Sequence, residues 1–252
     1  MEAIVPQALH GRKTTFTKSI CDYNVAQPFP TFDSLMNLAI FDLDNTLLAG
    51  DSDYLWGRFL CERGIVDPEL YETANQHFYE DYKQGTLDID AFLRFSLAPL
   101  ALHSAAQLAA WHDEFMRERI EPIILPQALE LIEEHRTRGD HPLIITATNA
   151  FVTEPIAHRL GVADILATRP EMQDGRYTGR YLGTPTFQEG KVKALSDWTQ
   201  SRSGPFEKTW FYSDSRNDLP LLEQVTHPVA VDADPVLAAE AERRGWPHIS
   251  LR

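Results

Sequence analysis

The sequence predicts an α/β protein with a parallel β-sheet and a helical segment inserted into it. Short apolar runs alternate with helical patterns over residues 140–252, as expected of parallel strands connected by helices on both faces of a sheet. One more apolar run, at residues 38–41, precedes them and is too short for a helix. Between these regions, residues 51–139 show only helical periodicity, which indicates an insertion.

The segment before the first strand, residues 1–35, has no clear hydrophobic period and contains Pro28 and Pro30. Met36 lies immediately before the strand, so we expect that translation starts there or that residues 1–35 form a loosely attached or disordered arm. An ordered extension packed on the core is the alternative. The predicted division is an N-terminal extension (1–35), a core (36–50 and 140–252) and a helical cap (51–139).

Five helices are predicted in the inserted segment. The first includes residues 54–60 and stops at Gly64, and Asp67 and Pro68 begin the second. Ser104 and the glutamine three positions later form a capping-box pattern before the fourth. The second to fifth helices are predicted over residues 71–82, 89–97, 108–120 and 127–138.

The rest of the core is predicted to alternate between strands and helices. Asp174 and Gly175 lie between short extended segments and predict a small β-hairpin. Asp234 is the expected N-cap of the last helix. The predicted strands are 142–146, 165–167, 209–213 and 228–231, and the predicted helices are 153–160, 191–200, 219–225 and 235–244.

Composition and charge limit the possible functions. The net charge of −14 argues against nucleic acid as a partner, because phosphate backbones bind basic surfaces. No apolar run approaches the roughly 20 residues that span a bilayer, so no membrane partner is predicted. Cys21 and Cys61 have no metal-binding spacing, and with the lack of a secretory leader they favour a cytoplasmic location. The sequence does not indicate an oligomeric state.

Polar side chains follow the predicted parallel strands at their carboxyl ends. These ends meet at one edge of a sheet, so the side chains can converge. They are two carboxylates after the first strand, a threonine at the end of the second, a lysine at a helix start and two carboxylates after a later strand: Asp42, Asp44, Thr146, Lys191, Asp214 and Asp218. Paired carboxylates at a strand end repel each other unless a cation lies between them.

This set of side chains suits phosphoryl transfer. Mg²⁺ binds a few carboxylate oxygens together with waters and phosphate oxygens. The hydroxyl of Thr146, backbone N–H groups at a helix start and the charge of Lys191 would neutralise a phosphoryl group. Asp42 could then attack phosphorus, and Asp44 could donate and accept the proton.

Simpler roles stay open for some of these residues. Lys193 is an alternative to Lys191, because either lysine could lie on an exposed helix face. We prefer Lys191 because it lies at the helix start beside Gly190. Asp218 could act only as the N-cap of the helix 219–225.

Four motifs together resemble the haloacid dehalogenase (HAD) superfamily. Phe-Asp-Leu-Asp-Asn-Thr-Leu-Leu, the turn at Thr146, Lys191 and Ser-Asp-Ser-Arg-Asn-Asp resemble its motifs I to IV in order. The helical insertion resembles the C1 cap of the superfamily, and the whole is most similar to its phosphoserine phosphatase-like branch, subfamily IB. The resemblance covers roughly residues 38–252 and implies a Rossmann-like core with a parallel sheet.

The resemblance implies a role for each motif residue. The catalytic and phosphate-binding residues would be Asp42 (nucleophile), Asp44 (general acid and base), Thr146, Ala147 and Lys191. The Mg²⁺ ligands would be Asp42, Asp44 through its backbone carbonyl, Asp214 and, in support, Asp218. Ser213 and Ser215 replace two glycines that are usual in motif IV, which leaves the acids intact but reduces the backbone freedom of the loop.

Two more residues resemble substrate-binding residues of phosphoserine phosphatases. Asp51 lies nine positions after Asp42, where that branch has an acidic residue for the substrate ammonium group. Arg94 lies nine positions after Gly85 and resembles the cap arginine that binds the substrate carboxylate. We therefore predict a Mg²⁺-dependent phosphomonoesterase that acts through an aspartyl-phosphate intermediate on a small phosphorylated metabolite, with phosphoserine as the leading candidate.

The sequence allows three alternatives. Histidinol phosphate is the second candidate substrate, because it needs no carboxylate-binding arginine. Phosphoryl transfer to a small alcohol acceptor is a different reaction of the same site. A non-catalytic phosphate-binding module is the third. The carboxylate pair Asp42 and Asp44 argues against it, because phosphate binding alone does not require a nucleophile and an acid.

Overall fold

Seven strands form one β-sheet in the part of the chain that the computed structural model describes, residues 36–202 and 205–252. Their order is β4-β3-β2-β1-β5-β6-β7, and among these described strands only the β3–β4 pair is antiparallel. They are β1 (Met36–Phe41), β2 (His141–Asn149), β3 (Asp164–Gln173), β4 (Arg176–Leu182), β5 (Phe206–Ser213), β6 (His227–Val231) and β7 (His248–Ile249). The predicted α/β class is confirmed. The expectations for residues 1–35 lie outside the described residues.

β1 lies at the centre of the sheet, which explains the continuous apolar sequence of its residues 38–41. Leu38 and Ile40 pack into the core on one face, and the alternate residues pack on the other. A strand that is covered by helices on both faces needs apolar side chains at every position. Phe41, at the end of β1, is level with Ile144 of β2 and Tyr212 of β5, so the loops after these three strands start side by side.

Five helices lie between β1 and β2: α1 (Ser52–Glu62), α2 (Pro68–Gln84), α3 (Ile89–Leu102), α4 (Ala105–Phe115) and α5 (Pro126–Thr137). Asp51, Asp67, Asp88 and Ser104 cap the first four by accepting hydrogen bonds from backbone N–H groups. The predicted cap at Ser104 is thus present. We call residues 51–139 the cap segment, and its status as a separate domain stays a prediction.

Two helices of the cap segment differ from their predicted bounds. The pattern predicts that the third helix ends at residue 97, but α3 continues through Pro99 because Leu97 and Leu100 are buried in an apolar cluster. The fourth is α-helical for a shorter stretch than predicted. It is followed by a π-helical turn, Met116–Ile120, and a 3₁₀ turn, Glu121–Ile123.

The remaining helices follow the core strands. They are α6 (Ala150–Arg159), α7 (Glu189–Gln200), α8 (Leu219–Leu222) and α9 (Pro235–Arg244). The predicted hairpin is present, and Asp174 and Gly175 turn between β3 and β4 with φ of 51° and 74°. No helix within residues 36–202 or 205–252 is long and apolar enough to cross a membrane.

Candidate active site

Asp42, Lys191 and Asp218 form a buried ion cluster at the carboxyl edge of the sheet. Lys191 Nζ lies 2.7 Å from Asp42 Oδ1 and 2.7 Å from Asp218 Oδ1. All three residues are at most 3% exposed. Lys193 instead points to solvent and pairs with Asp197. The structure therefore places Lys191, and not Lys193, beside the predicted nucleophile.

The position of Lys191 depends on the turn that begins α7. A Cβ atom at Gly190 would lie 1.8 Å from the carbonyl oxygen of Pro185, so only glycine fits there. The N–H of Gly190 donates to Phe187 O at 2.8 Å, and the N–H of Lys191 donates to Gln188 O at 3.0 Å. This tight turn directs the lysine side chain towards the carboxyl edge of the sheet.

Asp44 is held by two hydrogen bonds from different parts of the chain. The Ser52 N–H at the start of α1 donates to Asp44 Oδ1 at 2.7 Å, and the Thr148 hydroxyl donates to Oδ2 at 2.9 Å. Burial, with the nearby charge of Asp51, raises the pKa of Asp44 to about 7. A carboxyl group with a pKa near neutrality can both donate and accept a proton, as a general acid and base must.

β2 carries a bulge where it reaches this site. Ile145 pairs with Leu166 and Asn149 pairs with Thr168, so the stretch between the pairs is two residues longer in β2 than in β3. The extra residues bring Thr146, Ala147 and Thr148 to the wall of a cavity that also contains Asp42 and Asp44. Thr146 thus lies within an irregular strand, whereas the sequence predicts that it ends a regular one.

The loop after β5 forms its geometry without the usual glycines. The Ser213 hydroxyl donates to Asp218 Oδ2 at 2.7 Å, and the Ser215 hydroxyl accepts from the Asn217 N–H at 3.2 Å. Neither serine has a positive φ, so this backbone needs no glycine at either position. Asp218 does occupy the N-cap position of α8, but its side chain makes no cap hydrogen bond and instead contacts Lys191 and Ser213, so capping is not its only role.

Thr46 connects the loops after β1 and β5. Its hydroxyl donates to Asp214 Oδ1 at 3.1 Å and accepts from the Asp214 N–H at 3.1 Å. Burial and the charges of Asp42 and Asp218 raise the pKa of Asp214 well above its usual value. Asp214 therefore lies close enough to Asp42 for the two carboxylates to repel each other.

These carboxylates fit a divalent cation. The buried Asp42 and the half-buried Asp214 both lie within hydrogen-bond distance of the Thr46 hydroxyl, and Lys191 is already shared by Asp42 and Asp218, so negative charge is in excess. Within the described ranges no three His, Cys, Asp or Glu side chains are grouped as metal ligands. Mg²⁺ needs only one or two protein carboxylates and completes its shell with carbonyls, waters and phosphate oxygens. The pair Asp42 and Asp214 satisfies that requirement.

A cavity lies between these loops and the cap segment. Acidic and aromatic side chains dominate the part formed by the cap segment, and no described residue of the lining is basic. The lining there comprises Asp51, Asp53, Tyr54, Asn75, Phe78, Tyr79, Tyr82, Leu87, Ile89 and Phe92.

Of the two predicted substrate-binding residues, the structure brings only Asp51 to the cavity. Asp51 lines it and also caps α1 through the Tyr54 N–H at 2.8 Å. Arg94 is exposed on α3 and is not among the lining residues. The structure therefore does not place Arg94 in the cavity, where the resemblance implies that it would bind a substrate carboxylate.

Sequence reasoning assigned no role to four polar residues of the site: Thr46, Ser52, Thr148 and Asn149. Thr46 and Thr148 lie in the same loops as the motif residues, so proximity along the chain could have indicated them. Ser52 acts through its backbone N–H, which no side-chain pattern reveals. Asn149 contacts Asp53 of the cap segment, a pairing that depends on the tertiary fold.

Comparisons with known proteins place these features in a family. The family model of haloacid dehalogenase-like hydrolases matches residues 39–223. A histidinol-phosphatase of Neisseria meningitidis serogroup C is 48% identical over 222 residues, which cover 86% of this chain and 100% of that protein. The phosphoserine phosphatase SerB1 of Mycobacterium tuberculosis is 34% identical over 211 residues, which cover 82% of this chain and 68% of that protein.

Solved structures share the architecture. A Bordetella pertussis Tohama I protein of unknown function matches with a TM-score of 0.82 and 46% identity, over 87% of this chain and 100% of that chain. A phosphoserine phosphatase with an analogue of its phospho-aspartyl intermediate matches with a TM-score of 0.64 and 19% identity, over 87% and 95% of the two chains. At that identity the second likeness concerns the fold alone.

Proposed function

Since this chain belongs to the haloacid dehalogenase-like hydrolases, we propose that it is a phosphatase for a small amino alcohol phosphate, with histidinol phosphate as the best-fitting substrate. The enzyme is of the type that includes phosphoserine phosphatases and histidinol-phosphatases. The observation that carries the choice of substrate is the acidic and aromatic lining of the cavity, in which no described residue is basic.

The cavity lining distinguishes the two candidate substrates by charge. Phosphoserine would bring a carboxylate towards Asp51 and Asp53, with no described cationic side chain in the lining to pair with it. Like charges that face each other at an interface cost several kcal/mol. Histidinol phosphate has the same amino group but carries an imidazole instead of the carboxylate. Its positive and aromatic groups match carboxylates and aromatic rings, so the preference predicted from the sequence is reversed.

The residues of the site support a two-step reaction. In the first step Asp42 attacks phosphorus, the bond from phosphorus to the alcohol oxygen breaks, and Asp44 gives its proton to that oxygen. In the second step water attacks the aspartyl phosphate, Asp44 takes the proton of the water, and Asp42 and inorganic phosphate are released.

Other groups balance the charge of the phosphoryl oxygens. Lys191 and the Thr146 hydroxyl are proposed to hold them, with the Ala147 backbone beside them in the bulge of β2. Mg²⁺ bound by Asp42, Asp214 and the backbone carbonyl of Asp44 would supply further positive charge there.

The test compares L-histidinol phosphate with L-phosphoserine as substrates of the full chain in the presence of Mg²⁺. We expect kcat/KM to be about 100-fold or more higher for L-histidinol phosphate, because each 1.4 kcal/mol of repulsion corresponds to a factor of ten. Asp42→Asn, with its fold checked by circular dichroism, should have no measurable activity. A preference for phosphoserine would contradict the substrate assignment, and an active Asp42→Asn variant would contradict the nucleophile.

Arg94→Ala serves as a control in the same assay. Arg94 lies outside the cavity, so we expect kcat/KM for both substrates to change less than twofold. A large loss that is confined to phosphoserine would show that this arginine binds the substrate carboxylate after all.

A further inference from the structure

Asp53 is a buried carboxylate of the cavity that the proposed reaction leaves without a role. It lies in the first turn of α1, is 7% exposed and lines the cavity. Capping of α1 is done by Asp51, so Asp53 is free of that function. Oδ1 of Asp53 accepts a hydrogen bond from Asn149 Nδ2 at 3.2 Å, and no hydrogen bond from the described residues reaches Oδ2.

Asn149 fixes the orientation of this carboxylate. Its amide oxygen accepts from the Val152 N–H at 3.3 Å at the start of α6, so its NH₂ group must face Asp53. The residue is 2% exposed and follows the bulge of β2 that carries Thr146. The strand end that supports phosphate binding thus also holds one oxygen of Asp53 in place.

The described residues provide Asp53 with no positively charged partner. No salt bridge among the described residues includes Asp53 or Asp51. A buried carboxylate without a cation or sufficient donors is unfavourable. In agreement, burial and the charges of Asp51 and Asp44 raise the pKa of Asp53 well above its usual value. A ligand with an N–H donor would remove this imbalance.

Aromatic rings stand on the same side of the cavity. Tyr54 and Tyr79 have ring centroids 4.9 Å apart, and those of Phe78 and Phe92 are 5.6 Å apart. All four rings line the cavity. Flat aromatic surfaces favour planar and cationic groups. A planar nitrogen heterocycle therefore fits the carboxylate and its neighbours better than an alkyl ammonium group alone.

We propose that Asp53, oriented by Asn149, binds the ring N–H of the substrate's nitrogen heterocycle, while Asp51 binds its ammonium group. This inference rests on the proposed function and adds to it a separate residue for each nitrogen group. Asp53 thereby determines specificity between histidinol phosphate and amino alcohol phosphates that lack a ring.

The test uses Asp53→Asn and three substrates. L-histidinol phosphate carries both an amine and a nitrogen heterocycle, O-phosphoethanolamine carries the amine only, and phenyl phosphate carries neither nitrogen group. We expect kcat/KM for L-histidinol phosphate to fall about 10- to 100-fold, mainly through KM, because a hydrogen bond to a charged group is lost. The loss for O-phosphoethanolamine should be at least tenfold smaller. The matched variant Asp51→Asn, in which asparagine preserves the cap of α1, should weaken both amine substrates together.

A binding measurement gives a second readout that does not depend on turnover. The affinity for the product L-histidinol, measured by calorimetry, should fall about 10- to 100-fold in Asp53→Asn. Asp113→Asn, at an exposed position of α4, is the control for general loss of charge and should bind L-histidinol as the wild type does.

The outcomes separate this inference from the proposed function. If the wild type does not hydrolyse L-histidinol phosphate, the proposed function fails and the inference fails with it. If the wild type does so but Asp53→Asn loses the same factor on L-histidinol phosphate and O-phosphoethanolamine, only the inference is overturned. Unchanged affinity of Asp53→Asn for L-histidinol would overturn it as well.

Discussion

Two lysines of α7 show how burial gives similar side chains different functions. Lys191 is 1% exposed, whereas Lys193, two positions later, points to solvent. Burial alone would lower the pKa of Lys191, but the charges and hydrogen bonds of Asp218 and Asp42 outweigh it and raise that pKa. Lys191 therefore stays protonated in the core and provides a fixed positive charge beside Asp42, the proposed nucleophile.

Replacement of these lysines should separate their roles. We expect Lys191→Ala to lower kcat/KM about 10²- to 10³-fold, since it removes a charge that stabilises the transferring phosphoryl group. It should also lower the melting temperature, because two buried carboxylates lose their partner. Lys193→Ala should change kcat/KM less than twofold. A larger loss of activity from Lys193→Ala than from Lys191→Ala would contradict the assignment.

The motif residues could be identified from the sequence because their residue types and their order along the chain indicate their chemistry. Asp42, Thr146, Lys191 and Asp214 follow predicted strands or begin a helix, and the sheet brings them together. Arg94 was a weaker prediction, because spacing along a helix does not determine which face points to a cavity. No periodicity specifies that face without knowledge of its neighbours.

Among the secondary structure elements, the active-site loops depend on irregular backbone. β2 is bulged before Asn149, and the turn before α7 contains Gln188 with φ 49°. Hydrophobic periodicity identified the existence of both elements but not these local features, which arise from contacts with β3 and with Pro185. β7 has only two residues, His248–Ile249, which is too short for an alternating pattern to be detected.

The turn before α7 should be sensitive to a single methyl group. We expect Gly190→Ala to lower kcat/KM at least tenfold, because its Cβ would lie 1.8 Å from Pro185 O and the turn would have to move. Such a shift displaces Lys191 from Asp42, and a displacement of about 1 Å can reduce a rate 100-fold. Glu189→Ala, at the exposed neighbouring position, is the matched control and should retain activity. Equal activities of the two variants would show that the turn tolerates the methyl group.

At the scale of the whole molecule, one polar network connects α5, β1 and β5 through Asp140 in the turn before β2. Both ring nitrogens of His135 in α5 form hydrogen bonds. Nδ1 lies 2.7 Å from Asp140 Oδ2, and Nε2 lies 2.8 Å from the Tyr212 hydroxyl. Asn37 of β1 donates to Asp140 Oδ1 at 2.8 Å. A neutral His135 with its proton on Nδ1 satisfies both contacts, since Tyr212 then donates to Nε2.

Both titrating groups of this network, His135 and Asp140, stabilise the folded state less as the pH falls. Burial lowers the pKa of His135, while hydrogen bonds from Asn37 and His135 overcome the effect of burial and lower the pKa of Asp140. Both groups bind a proton more readily in the unfolded chain, so the unfolded state takes up more protons as the pH falls. The contribution of His135 is therefore lost as the pH falls below its ordinary pKa of 6.5, and that of Asp140 as it falls below 3.8.

We therefore expect the wild type to lose more of its free energy of unfolding, measured by urea denaturation, than His135→Gln does between pH 7 and pH 5. Carboxyl groups with a raised pKa, such as Asp44, act in the opposite sense but equally in both proteins, so the comparison isolates His135. One proton taken up on unfolding corresponds to a slope of about 1.4 kcal/mol per pH unit, which sets the largest difference between the two slopes. His158→Gln, at an exposed position of α6, is the matched control and should leave the slope as it is in the wild type. Because glutamine can still bond to Asp140 or Tyr212 but cannot titrate, an unchanged slope in His135→Gln would show that His135 is not the group that couples folding to pH.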